Sequence, residues 1–156
     1  RGEPIPLPAG SRVAAGGGMK ESYPFTPAQI RADLRSTFGG VPVSDVYGMA
    51  EANWAAFECE HGNYHIPPWV YAVATDEDDR ILRGPEATGL LAFFDPIGGG
   101  ALIPPFFQTA DRVRLVNGGS DYDPALACPC GYDTSYIRGE IRRVDLMEEA
   151  GCAGQI

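Results

Sequence analysis

Val46-Tyr47-Gly48-Met49-Ala50-Glu51 follows the short apolar run Gly40-Val41-Pro42-Val43 and precedes a patch dense in cysteine, histidine and aromatic residues. Val41 to Val46 reads as a strand, and a glycine after an aromatic lets the backbone turn sharply as that strand ends. Glu51 then sits beside the strand end, a place from which a carboxylate works on a ligand. The same six residues also read as a buried tyrosine, a turn glycine and a solvated glutamate. The choice between the two depends on the surrounding chain.

Upstream, the clearest local element is a helix over about 27–38. Thr26 is a good N-cap, Pro27 suits the first helical position, and Gln29 completes a capping box. Phe25 and Ile30 are spaced for a hydrophobic staple. Ile30, Leu34 and Phe38 recur on one apolar face, Arg31, Asp33 and Arg35 lie on the other side, and Gly39-Gly40 ends the helix. Residues 1–15 alternate prolines with Ile5 and Leu7, which gives extended chain or an edge strand at most. Gly16-Gly17-Gly18-Met19-Lys20 can bring backbone and a lysine to a ligand phosphate, but lacks the spacing of a P-loop and also reads as a flexible loop.

Downstream, Ala50 to Phe57 has the length of one or two helical turns. Trp69 to Thr75, the acidic turn Asp76 to Asp79 and Arg80-Ile81-Leu82 read as a hairpin with a solvated turn. Thr88 to Phe94, Ile103 to Thr109 and Arg112 to Val116 are further strands. Asn117-Gly118-Gly119 is a hairpin-type turn, Cys128-Pro129-Cys130-Gly131 is a tight knuckle, and Tyr136 to Met147 closes the ordered chain. The expected class is α+β. A short α/β segment with one helix and one strand (1–52) precedes a mostly antiparallel, barrel-like β subdomain (53–147), and a tail (148–156) follows.

The chain has 156 residues, enough for one domain with a real core, and an ordinary apolar fraction of 44% with 21% charged residues. Its net charge of −9 argues against nucleic-acid binding and against an anionic membrane surface. No apolar run approaches the roughly 20 residues that span a bilayer, and no secretory leader is visible at the start, so a cytoplasmic location is expected. The first residue is Arg1 rather than methionine, which reads as a fragment or a processed product.

The cysteines are Cys59, Cys128, Cys130 and Cys152. Together with His65, or alternatively His61, the first three offer a Cys₃His tetrahedral zinc site. Such a site is structural, because all four positions are protein ligands. Inert thiols in a tight turn are the competing reading. The aromatic runs Trp69 to Tyr71, Phe93-Phe94 and Phe106-Phe107 read as core.

Four stretches, in order, resemble the adenylate-forming superfamily of acyl-CoA synthetases and ligases. They are Gly16-Gly17-Gly18-Met19-Lys20, Tyr47-Gly48-Met49-Ala50-Glu51, Thr109-Ala110-Asp111 and Arg143-Val144-Asp145. The likeness is closest to acyl-protein synthetases of the LuxE type. The phenylacetate-CoA ligase-like branch, which often carries a Cys-x-Cys-Gly knuckle, comes next. The resemblance implies attack of a carboxylate on the α-phosphate of ATP, then transfer of the acyl group to a thiol: a protein cysteine, coenzyme A or a carrier arm. It further implies that Glu51 holds Mg²⁺ and that Lys20 acts near the phosphates. Tyr47, Gly48, Met49 and Ala50 would line the adenine side, and Gly16, Gly17 and Gly18 would wall the acyl and nucleotide pocket. Asp111 would accept from the ribose hydroxyls, Arg143 would reach ribose or phosphate, and Asp145 would mark a hinge.

Two departures qualify that picture. Ala50 stands where the family usually has Thr or Ser, and alanine replaces the usual middle residue of Thr109-Ala110-Asp111. The family's upstream phosphate loop and downstream lysine-bearing domain are absent from these 156 residues, so the chain reads as the middle-to-late part of such an enzyme, inactive by itself. Two other readings stay open: a zinc-stabilised β module that binds a protein partner, and a non-catalytic relative that still binds nucleotide.

Overall fold

The computed structural model describes residues 3–16, 24–98, 104–118 and 122–144. The elements run β1 (Val13–Gly16), α1 (Pro27–Thr37), β2 (Val43–Gly48), β3 (Ala55–Glu58), β4 (Asn63–His65), β5 (Tyr71–Thr75), β6 (Ile81–Leu82), β7 (Glu86–Phe94), β8 (Phe106–Val116), β9 (Tyr136–Arg138) and β10 (Arg142–Arg143). Gly17, Gly18, Met19, Lys20, Ile103, Gly119, Asp145, Cys152 and the tail 148–156 lie outside the described residues.

The helix forms where its local signals place it. The Gln29 amide donates to Thr26 Oγ1 at 3.2 Å, and the Thr26 amide donates to Gln29 Oε1 at 2.7 Å. Both halves of the capping box are therefore made, satisfying amides that the first turn cannot pair internally. Ile30, Leu34 and Phe38 are half-buried, but no residue of α1 is fully buried and Phe25 stays 51% exposed. The anchor is Arg31, which belongs with the sheet-facing side and not with the solvated one. Its guanidinium grips Glu58 of β3 through two bonds of 2.6 and 3.2 Å and also donates to the Val43 carbonyl. Glu58 Oε2 accepts the Asp45 amide as well, so one carboxylate joins α1, β2 and β3.

All the described strands belong to one sheet, ordered β1-β2-β3-β4-β9-β8-β7-β5-β6, with β10 also on β8. β1 pairs with β2 in parallel and every other pairing is antiparallel. The class is α+β, but two expectations are corrected. The early segment holds two strands, β1 and β2, because Val13–Gly16 finds a partner that its proline-rich approach does not advertise. Among the described residues the sheet is also not closed: its ends are β1 and the two-residue β6, which do not pair, so the barrel-like form is not borne out.

Three local readings also change. Ala50 to Phe57 is not helical. It is a turn, with the Ala52 amide on the Met49 carbonyl, leading into β3, which returns along β2. The two strands expected between Ile103 and Val116 are one, β8. Asn117-Gly118 closes no tight hairpin, since β8 reaches its antiparallel neighbour β9 only after residues 117–135. A Cβ on Gly118 would stand 2.5 Å from the Ser135 amide nitrogen, so glycine there admits the returning chain. The hairpin of β5 and β6 forms as read.

The main core is Trp54, Ile66, Leu91, Phe93, Val113, Leu115 and Ile137, packed against the small residues Ala56, Ala72 and Ala74. Large side chains on β7 and β8 pack in one cluster with the alanines of β3 and β5. Tyr47 and Met49 border this core, so the end of β2 is fixed by packing as well as by pairing. Trp54 meets Phe93 edge-on at 5.0 Å and Tyr47 at 6.3 Å.

β8 is interrupted where it matters. Leu90 of β7 pairs with Arg112 and Ala92 pairs with Gln108, so Leu91 alone faces Thr109, Ala110 and Asp111. This is a β-bulge, a feature that bends a strand and re-aims its side chains. The Asp111 amide turns to Thr109 Oγ1 at 3.0 Å, and the Ala110 carbonyl accepts the Val144 amide at 2.7 Å.

Candidate functional site

A cleft of about 620 Å³ opens beside that bulge. The turn after β2 contributes Met49 and Glu51, the bulge contributes Thr109, Ala110 and Asp111, and the end of the described chain contributes Arg143 and Val144. The β2–β3 return directs the turn, leaving the Glu51 side chain exposed. Arg143 pairs with Asp111 across β10 and β8, which sets a cation next to the carboxylate.

Beneath the cleft, the Tyr47 hydroxyl donates to Asp111 Oδ2 at 2.7 Å. Burial, and then the bond and charge of Asp111, raise the Tyr47 pKa well above its ordinary value, so the hydroxyl keeps its proton and acts as a donor.

Of the residues picked from sequence, Met49, Glu51, Asp111 and Arg143 line the cleft, and Tyr47 reaches it through Asp111. Gly48, the last residue of β2, and Ala50, in the turn that follows, flank Met49. Gly16 is on β1, paired with Val46, and is not among the lining residues. Four more polar lining residues had no local signal. Glu77 and Asp79 come from the turn read as merely solvated, and Gln108 and Arg112 come from β8. The side chains cross-link: Gln108 donates to Asp79 Oδ1 at 3.0 Å, and Arg112 lies 3.6 Å from Glu77. Only the pairing of β7 with both β5 and β8 brings that acidic turn over the bulge.

A second site lies beside β4. Cys59, His65, Cys128 and Cys130 bring their ligand atoms within 4.8 Å of one another. Cys59 and Cys128 sulfurs are 3.8 Å apart, and Cys130 Sγ is 3.2 Å from His65 Nε2. A zinc tetrahedron with Zn–S of about 2.3 Å has sulfur–sulfur edges of about 3.8 Å, so Cys59 and Cys128 stand at the required spacing. The outer contacts fit too: His65 Nδ1 is 3.1 Å from Thr134 Oγ1, and Asn63 Nδ2 donates to Cys128 Sγ at 3.2 Å. His61, the alternative ligand, instead lies 3.6 Å from Glu60.

Electrostatics of the cluster favour ligation at His65 and Cys128 and oppose it at Cys130. Burial lowers the His65 pKa, keeping the imidazole neutral and able to coordinate. Burial pushes the Cys128 thiol up, but hydrogen bonds from the Cys130 backbone and Asn63 outweigh it and leave the group below its ordinary value. Cys130 is raised to about 11, first by burial and then by bonds with the neighbouring thiols. Among the described residues, no helix is long and apolar enough to cross a membrane.

Residues 4–156 match the family profile described as "Acyl-protein synthetase, LuxE". One curated relative, the long-chain-fatty-acid–luciferin-component ligase of Aliivibrio fischeri, is 29% identical over 158 residues, covering 96% of this chain. The chain spans 38% of that relative's length. With nearly its whole length matched by the profile, the chain belongs to the LuxE acyl-protein synthetase family.

Proposed function

We propose that the whole protein carrying this chain is an ATP-dependent ligase that activates a carboxylic acid, a fatty acid by analogy with its relative, as an acyl-adenylate. The acyl group then passes to a thiol, with a protein cysteine favoured over coenzyme A or a carrier arm by the family's description. One observation carries this reading: Met49, Glu51, Asp111 and Arg143, distant in sequence and picked for nucleotide chemistry, line one cleft.

In this reading Asp111 accepts from ribose hydroxyls, and Arg143 balances charge at ribose or phosphate. Glu51 holds Mg²⁺, which when bound neutralises charge on the phosphate oxygens. Residues 1–52 end the α/β part of the adenylation domain, 53–147 form its β part, and the phosphate loop and catalytic lysine come from the remainder of the longer protein. Zinc at Cys59, His65, Cys128 and Cys130 is structural, stapling the β3–β4 turn to the 128–134 loop.

The test is hydroxamate formation by the whole protein with ATP, Mg²⁺, hydroxylamine and a series of carboxylic acids. Product that requires both ATP and a fatty acid supports the reading, and its absence across the series counts against it. Ala50 favours a second reading, a relative that binds nucleotide without turnover, because it withholds a hydroxyl from the phosphates. Restoring the hydroxyl with Ala50→Thr then raises turnover, whereas an enzyme already competent gains little.

A further inference from the structure

We propose that Tyr47 is a positioning residue whose hydroxyl, with Thr109 Oγ1, fixes the Asp111 carboxylate in the orientation that reads the ribose of ATP. This rests on the ligase reading above and assigns Tyr47 a task other than lining the adenine side.

The geometry carries it. Asp111 sits in a bulge, where pairing with β7 no longer dictates its direction and only the two-residue β10 still pairs with it. Two contacts replace that control. The Asp111 amide is held by Thr109 Oγ1 at 3.0 Å, and Oδ2 receives the Tyr47 hydroxyl at 2.7 Å. Tyr47 is itself immobilised, since its strand pairs with β3 and its ring packs against Trp54. Thr109 is 6% exposed, so its oxygen does not exchange freely with solvent. With Oδ2 engaged from below, Oδ1 is the oxygen left to receive a ligand hydroxyl. Tyr47 is absent from the cleft lining although its partner Asp111 is there, as expected of a group acting through another. Its raised pKa keeps it a donor throughout the working pH range.

The experiment compares binding of ATP and 2′,3′-dideoxy-ATP to the whole protein by calorimetry. The proteins are wild type, Tyr47→Phe, Asp111→Asn and the double variant. Phenylalanine keeps the ring and its packing, so the fold is retained. The expectation is that Tyr47→Phe weakens ATP about tenfold, the effect of losing a hydrogen bond to a charged group, and leaves dideoxy-ATP unchanged. In the Asp111→Asn background the same substitution adds nothing. Equal weakening of both nucleotides by Tyr47→Phe, or no weakening of either, overturns the positioning role while Asp111→Asn still narrows the ATP preference. If Asp111→Asn leaves that preference intact, the ribose reading itself fails, and the two failures are thus distinguishable.

Discussion

The Tyr47 hydroxyl donates to Asp111 Oδ2 at 2.7 Å, joining side chains 64 positions apart in sequence. The bond holds the end of β2 against the bulge in β8, so it contributes to stability as well as to the cleft. Its pH dependence has a definite sign. An unfolded tyrosine loses its proton near pH 10, whereas native Tyr47 holds it to higher pH. Above pH 10 the unfolded state therefore binds fewer protons, and stability falls as pH rises. Tyr47→Phe is expected to cost about 1–2 kcal/mol below pH 9, and the gap from wild type should shrink at pH 10 to 11. Urea midpoints across that range check it; a gap that stays constant contradicts the assignment.

Gly89 sits in β7 opposite Val113, and a Cβ there would lie 2.2 Å from the Thr75 carbonyl oxygen of β5. Backbone, unlike a side-chain tip, cannot step aside without parting two central strands. Gly89→Ala should therefore cost about 3 kcal/mol or more, read as a lower urea midpoint. The comparison is Gly131→Ala in the knuckle, where the added carbon meets nothing within 4 Å and the strain comes only from a φ of +83°. That change should cost about 1 kcal/mol.

The Cys₃His cluster predicts one zinc per chain in native mass spectrometry. Cys128→Ser or Cys130→Ser should abolish it and cost about 3 kcal/mol, lowering Tm by about 10 °C for a chain of this size. His65→Ala should behave alike, whereas His61→Ala should change neither metal content nor Tm. Equal effects of the two histidine variants would contradict the ligand set.

Helix α1 buries no residue fully, so its attachment depends on Arg31 and Glu58, whose side chains are 38% and 11% exposed. A partly solvated fork of this kind contributes modestly. Arg31→Ala should cost about 1–2 kcal/mol and speed hydrogen exchange over 27–37 while β7 and β8 keep their protection. Global acceleration in all elements would mean that α1 is not a separate unit of opening.

How much of this was legible depended on the range of each signal. The capping box at Thr26 and Gln29 acts over three residues, so the sequence shows it whole. The β5–β6 hairpin is similarly local. The bulge at Thr109 to Asp111 exists only relative to β7, and the partner of β1 lies beyond an intervening helix, so neither shows in a local pattern. The same limit explains the barrel expectation: strand count and turn spacing say nothing of whether the two outer strands meet. The cysteines and histidines advertised a metal by type. His65 already stood ahead of His61 on sequence, and the register of β4 places it opposite Tyr136 and beside the knuckle. In the cleft, Glu51 and Asp111 were visible as motif residues, but Glu77 and Asp79 were not, because their turn joins the cleft only through sheet order.

The central claim is that this cleft serves nucleotide activation, and fatty-acid-dependent exchange of labelled pyrophosphate into ATP tests it most directly. The whole protein should catalyse the exchange with Mg²⁺ and a fatty acid. Glu51→Ala and Asp111→Asn should each reduce it about 100-fold or more, with the fold retained by circular dichroism. Exchange that persists undiminished in both variants would contradict the account.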